Sequence, residues 1–404
     1  MATQKNYIKS FNLFFLFFSI VWNPLQMFYL HIDGEARTMV FLAVIAVILN
    51  IGKTGNLKSI FHSTAFICWI VLVLYTFINS MAKGYSSDYD FFSYVRVNFW
   101  GPFIFLWIVI IELNRDKSKC LKVLLAGLLI YMVMGALNVT ISDDNRAYAV
   151  GLGNMLPLYS MSAAFVAGLL LNYNDLKGSW WSFISIIIFA LFLIVVTATR
   201  KALGGLLIIL VGVLMSKNRK FNNRSIVVST IIMVGMIIGY NWIRENTFIG
   251  ERLDNMGEQF DYELSSNPMV NDFLLDFLGD RSYYYYYGIM YFHQQPLTGI
   301  GLGNFKVVNQ STSRIHSEYI VQLCENGIIG LLLLLLFYFF ILVGLNRQRK
   351  KGENIWVYMF GLFAVLFINF TAWTYNMEYI MLIYAILIVQ IYSTTQDTTK
   401  SINK

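Results

Sequence analysis

The sequence predicts an all-α polytopic membrane protein, and three observations carry that prediction. Hydrophobic residues make up 57% of the 404 and charged residues 13%, about half the roughly 25% charge of an ordinary soluble domain, too few to cover a soluble surface. About a dozen apolar segments approach the roughly 20 residues that a helix needs to cross the hydrocarbon core. Lys and Arg gather in alternate connections, the asymmetry expected of a membrane topology. The same composition excludes a disordered, collagenous or disulfide-built chain.

The spans fall, in order, at 10–30, 38–52, 60–81, 94–113, 120–138, 148–171, 180–198, 201–216, 225–243, 326–345, 354–373 and 375–392, about 12 transmembrane helices. In the first, Lys5 and Lys9 precede an apolar run from Phe11 that passes Asn23 and Pro24 to Leu30 without a small-x-small cleavage site, so it reads as a retained span. The second and eighth are short for full crossings. An even number places both termini on one side. With the termini and the connections near 53–59, 112–122, 172–179, 216–224 and 346–353 inside, that side holds 19 of the 30 Lys and Arg residues. That bias predicts cytoplasmic termini, and it explains the net charge of +7 without nucleic acid.

The residues from 244 to 315, between the ninth and tenth spans, form one large external loop, far longer than ordinary helix connections. Its aromatic and apolar clusters, FLLDFLG at 273–279 and YYYYYGIMYF at 283–292, predict a folded cap. The whole of 1–404 reads as a single multi-pass membrane domain. Cys68, Cys120 and Cys324 fall in or beside apolar segments and offer neither a disulfide framework nor a zinc knuckle.

Candidate chemistry gathers at the outer rim. The seventh and eighth spans meet through VVTATRKALGG, which places Arg200 and Lys201 at the start of the eighth helix. Free N–H groups, the helix dipole and two cations make an anion site at headgroup depth, phosphate being the obvious anion. Basic residues that merely snorkel to lipid phosphates are the blander account. In the large loop, Arg281 stands at another helix start if 282–292 is helical. The tyrosines after it would stack on sugars or form an interfacial belt. Gly299, Gly301 and Gly303 lack dinucleotide spacing and read as a tight turn.

His316, held near the membrane surface, is suited to general-base work on a hydroxyl; a loop histidine bonded to backbone is the alternative. Residues 316–325 form either an extension of the tenth helix or a separate segment broken near Gly327. Glu325 lies nine residues beyond His316, about half a turn out of phase on a continuous helix, and would not orient it there. His31, His62, His293 and His316 show no metal-ligand spacing, so no metal site is expected. Asp88, Asp90, Asp143 and Asp144 are outer acids in short loops.

The block HSEYIVQLCENGIIGLLLLLLFY at 316–338, preceded by PLTGIGLGNF at 296–305, Arg281 and TATRKALGG at 197–205, resembles the O-antigen ligase and polymerase (Wzy-type) superfamily. The specific motifs cover residues 195–210 and 280–345. The resemblance implies a GT-C-like helical fold and an inverting glycosyltransferase without metal or cofactor. Its donor would be an oligosaccharide linked to undecaprenyl diphosphate. It implies His316 as catalytic base, with Arg200 and Arg281 as diphosphate ligands. Lys201 and Arg314 are further candidate cations beside these positions. Glu325, Gly301 and Gly303 take structural roles near the site.

Implied partners are a lipid-linked donor and acceptor, the bilayer and a chain-length regulator. The implied place is a bacterial plasma membrane, with the active site on the extracytoplasmic face. HSEYIVQLCENGIIG resembles polymerases of capsule, exopolysaccharide and lipopolysaccharide O-antigen more than ligases that transfer to a lipid A-core. A polysaccharide transporter or lipid flippase is the reading from another class. Glu378, in YNMEYIM, favours it, and the lack of similar halves opposes it.

Overall fold

A computed structural model describes residues 2–26, 37–51, 63–84, 96–141, 147–149, 155–173, 179–197, 199–217, 281–310 and 314–392. At 2–6, 23, 37–40, 96, 139–141, 147–149, 179, 200 and 217 the backbone alone is described. The ninth expected span, the FLLDFLG cluster, His31, His62 and the four acids Asp88, Asp90, Asp143 and Asp144 lie outside the described residues.

The helices are α1 (Ala2–Leu25), α2 (Arg37–Asn50), α3 (Thr64–Lys83), a π-helix (Arg96–Phe105) running into α4 (Leu106–Arg115), and α5 (Lys117–Leu137). A three-residue hairpin, Val139–Ile141 with Ala147–Ala149, leads to α6 (Met155–Asn172), α7 (Ser179–Val196) and α8 (Arg200–Lys217). After it come α9 (Ser282–Gln294), α10 (Asn304–Val308), α11 (Glu318–Lys350), α12 (Trp356–Asn369) and α13 (Glu378–Tyr392). Each expected span within the described residues corresponds to one of these helices or to the π-helix with α4, and five are both long and apolar enough to cross a membrane. The protein is an all-α polytopic membrane protein.

Apolarity on every side separates central helices from peripheral ones. Along α13 every residue from Tyr379 to Ile391 is buried, and α6 is buried from Leu156 to Leu170. Peripheral helices keep one face bare: Trp181, Ile188 and Phe192 on α7, Leu332 and Phe339 on α11. Lipid supplies no hydrophobic drive between helices, so close packing must hold them together. The small residues of α8 allow it. A Cβ at Gly212 would stand 2.5 Å from the Phe360 Cβ on α12, and one at Gly204 2.3 Å from the Phe367 ring.

Polar networks mark one end of the bundle. Lys9 pairs with Asp116 at 2.9 Å. The Lys117 ammonium donates to Tyr173, Tyr358 and Gln390, which belong to the end of α6, the start of α12 and the end of α13. Nearby, the Asn12 amide donates to Glu112 at 2.7 Å and Arg115 meets the same carboxylate oxygen at 2.6 Å. The early turns of α1 and the last turns of α13 therefore share this end. The opposite end carries the start of α8, α9, the start of α11 and the connection from α12 to α13.

Candidate functional site

The site end is assembled around a break in one helix. α11 begins at Glu318, capped by the Ser317 hydroxyl, and Gly327 interrupts it with φ 66° and ψ −169°. Of the two arrangements expected for 316–325, the helix broken near Gly327 is the one present. A break strips carbonyls of their intrahelical donors, and buried carbonyls need replacements. The GIGLG turn supplies them. Ile300 N–H donates to the Cys324 carbonyl at 2.9 Å and Gly301 N–H to Glu325 at 2.8 Å. In exchange, Ile328 N–H donates to Pro296 at 2.8 Å. On α3, the Tyr75 hydroxyl donates to the Asn326 carbonyl and the Asn79 amide to Thr298 and Glu325.

Gly299, Gly301 and Gly303 all have positive φ, as a tight turn requires. At Gly299 there is also no room, since a Cβ would stand 2.5 Å from the Cys324 carbonyl oxygen. Glu325 turns away from His316: it accepts from Phe305 N–H at 3.4 Å and from Gly303 N–H, tying α10 to α11.

α9 rides on the first half of α11. Tyr291, Ile300, Phe305, Ile315, Val321 and Cys324 form a small core of their own. At Gly288 the helices approach so closely that a Cβ would stand 2.8 Å from Ile320. Arg281 occupies the N-cap position of α9, as the sequence suggested. α7 ends at Val196 and α8 starts at Arg200, so the connection is the tight one expected. Lys201 follows in the first turn, half-buried, while the Arg200 side chain lies outside the described residues.

His316 sits between these elements. Burial first, then the positive charges of Arg281 and Lys201, push its imidazole down to about 4. Lys201 and Arg281 also act on each other. Three of the sequence candidates are thus grouped, from α8, α9 and the turn before α11, and the imidazole is neutral at physiological pH. The edge of Tyr284 faces His316 at a 6.2 Å centroid distance. Arg314 stands apart: its guanidinium lies 4.5 Å over Trp373, in a small cleft with Ile315, Val321 and Glu325.

Sequence reasoning missed the clamp that holds His316. The Glu318 carboxylate, fully buried, accepts from Thr374 N–H at 2.7 Å and Tyr375 N–H at 2.9 Å. Its own N–H donates to the Ala372 carbonyl at 3.0 Å, and the Ser317 hydroxyl donates to Asn369 at 3.2 Å. The only sequence signal was an acidic residue at a helix start, with no hint of partners more than fifty positions on. Glu378 opens α13 and accepts from Trp100 Nε1 at 2.9 Å and Tyr159 at 3.1 Å. A carboxylate at a helix N-terminus is favourable there and calls for no transport role.

Fold and geometry define the class: a polytopic α-helical membrane protein in which Arg281 and Lys201 lie near His316 at one end of the bundle. Residues 183–335 match the family model described as O-antigen ligase. This is consistent with the O-antigen ligase and polymerase superfamily that the motifs resemble, a family with glycosyltransferase-like activity on lipid-linked glycans in the bilayer. The match spans Lys201, Arg281 and His316. No curated protein matches the chain.

Proposed function

We propose that the protein is a polymerase of lipid-linked oligosaccharide repeat units. It would act on the extracytoplasmic face of a bacterial plasma membrane, with both termini and the Lys117 end in the cytoplasm and 244–315 as an outer cap. The observation that carries this reading is the grouping of Lys201 and Arg281 around a neutral His316.

In the proposed reaction, an acceptor sugar hydroxyl attacks the donor's anomeric carbon from the face opposite the diphosphate. His316 takes the hydroxyl proton as the new C–O bond forms. The bond to the phosphate oxygen breaks, and its electron pair leaves with undecaprenyl diphosphate, inverting the anomeric centre. Arg281 and Lys201, with Arg200 as a third candidate, stabilise the charge that develops on the leaving group. Arg suits this work because its planar fork binds phosphate bidentately and stays charged. The reaction needs no metal in this scheme. The donor's diphosphate would also offset the two cations and raise the basicity of His316 when it is needed.

The family description favours a second reading, an O-antigen ligase that delivers the glycan to a lipid A-core. Incubating the purified protein with lipid-linked repeat units alone separates the two. A ladder of products is the polymerase outcome. Product that forms only after lipid A-core is added would replace that reading with the ligase.

A further inference from the structure

Helix α9 joins the cation to the base. Arg281 stands at its N-cap position, and Tyr285, one turn on, reaches past His316. The Tyr285 hydroxyl donates to the Phe370 carbonyl, lies 3.5 Å from the His316 carbonyl oxygen and borders the Ser317 side chain. Phe370 is the C-cap of α12, where helix carbonyls lack intrahelical donors. One hydroxyl therefore ties three elements together: α9, the turn carrying His316, and the end of α12. Burial pushes the Tyr285 phenol up, so it keeps the proton it donates. The Gly288 contact with Ile320 keeps α9 pressed onto α11.

We infer that Tyr285 is a positioning residue for His316, and that α9 is the bar that sets the distance between the base and the diphosphate-binding cation. This rests on the glycosyl-transfer reading above. Among the described residues, the charges acting on the imidazole are Arg281 of α9 and Lys201 of α8, and Tyr284 and Tyr285 of α9 lie beside the turn; Glu318 and Arg314, its neighbours in the chain, are engaged with the 374–375 backbone and with Trp373. Tyr285 adds a tie from α9 to the end of α12 beside the His316 carbonyl, next to the bonds that Ser317 and Glu318 already make there, and it carries no charge. Removing its hydroxyl leaves the ring in place and takes away one tie on the turn, while the Ser317 and Glu318 bonds remain. The imidazole is then held less firmly in its buried position and becomes more basic.

The test compares full-length wild type, Tyr285→Phe and His316→Ala in nanodiscs with lipid-linked oligosaccharide, reading undecaprenyl diphosphate release. Tyr285→Phe is expected to lower kcat about tenfold through misplacement of the base, with KM for the donor changed less than about twofold. The acid limb of its kcat/KM profile should move up in pH. A second readout is independent of turnover: carbethoxylation of His316 by diethyl pyrocarbonate, followed on the His316 peptide by mass spectrometry, should run several-fold faster in Tyr285→Phe.

Wild-type kcat, acid limb and carbethoxylation rate in Tyr285→Phe would overturn the inference while leaving the function standing. A loss of activity that matches a loss of folded protein, with an unmoved acid limb, would also overturn it. No release by wild type with either acceptor, together with faster carbethoxylation in the variant, would sink the glycosyl-transfer reading but support the positioning of His316.

Discussion

At the residue scale the account turns on His316. A base works only while neutral, so protonation at low pH must switch the reaction off. With the imidazole pushed down to about 4 by burial and by Arg281 and Lys201, kcat/KM of the free enzyme should stay flat below the ordinary histidine value of about 6.5. The acid limb of kcat should lie at higher pH than that of kcat/KM, because a bound diphosphate offsets the two cations. Rate profiles at limiting and saturating donor check this; coincident limbs near the ordinary value would contradict it. Arg281→Ala should lower kcat/KM by about 10²–10³, and Arg281→Lys should recover only part, since a point charge cannot grip two phosphate oxygens at once. His316, Arg281 and Lys201 were legible in the sequence because cations and a histidine beside helix starts stand out in an apolar chain. Tyr285 and Glu318 were not. One is a tyrosine among five in a row, and the other bonds to backbone N–H groups that no side-chain pattern marks.

At the element scale the broken helix α11 and the GIGLG turn form one unit, each completing the other's backbone hydrogen bonds. Gly327 has φ 66°, and a Cβ there would stand 2.2 Å from the Leu297 carbonyl oxygen. Gly327→Ala should therefore cost about 2 kcal/mol or more, from left-handed strain plus the clash. It should also separate the turn from α11, which thermal unfolding in detergent and an activity assay would register together. Glu318→Gln keeps the shape but weakens the acceptor for Thr374 and Tyr375, at about 1–3 kcal/mol. The helices themselves were readable because the bilayer demands about 20 apolar residues per crossing, a signal that needs no partner. The break in α11 was readable as an alternative only. What decides it is the turn at 296–303, whose N–H groups and carbonyls meet α11 through tertiary contact rather than local preference.

For the whole molecule, the expected topology follows from where charge sits. The end with Lys9, Arg115 and Lys117 should face the cytoplasm, and the end with α9 should face outward. A single cysteine introduced at Gln295 should react with a membrane-impermeant maleimide in intact cells. One introduced at Lys351 should react only after permeabilisation. The reverse pattern would put the site on the cytoplasmic side and remove the proposed donor from its reach.

The most direct measurement of the central claim is undecaprenyl diphosphate release by wild type and His316→Ala, alongside donor binding, with both proteins in nanodiscs. Loss of a general base is worth about 10²–10⁴ in rate, so release should fall by at least about a hundredfold in His316→Ala while the donor still binds through Arg281 and Lys201. Release at the wild-type rate from His316→Ala would show that the imidazole is not the base and would contradict the account.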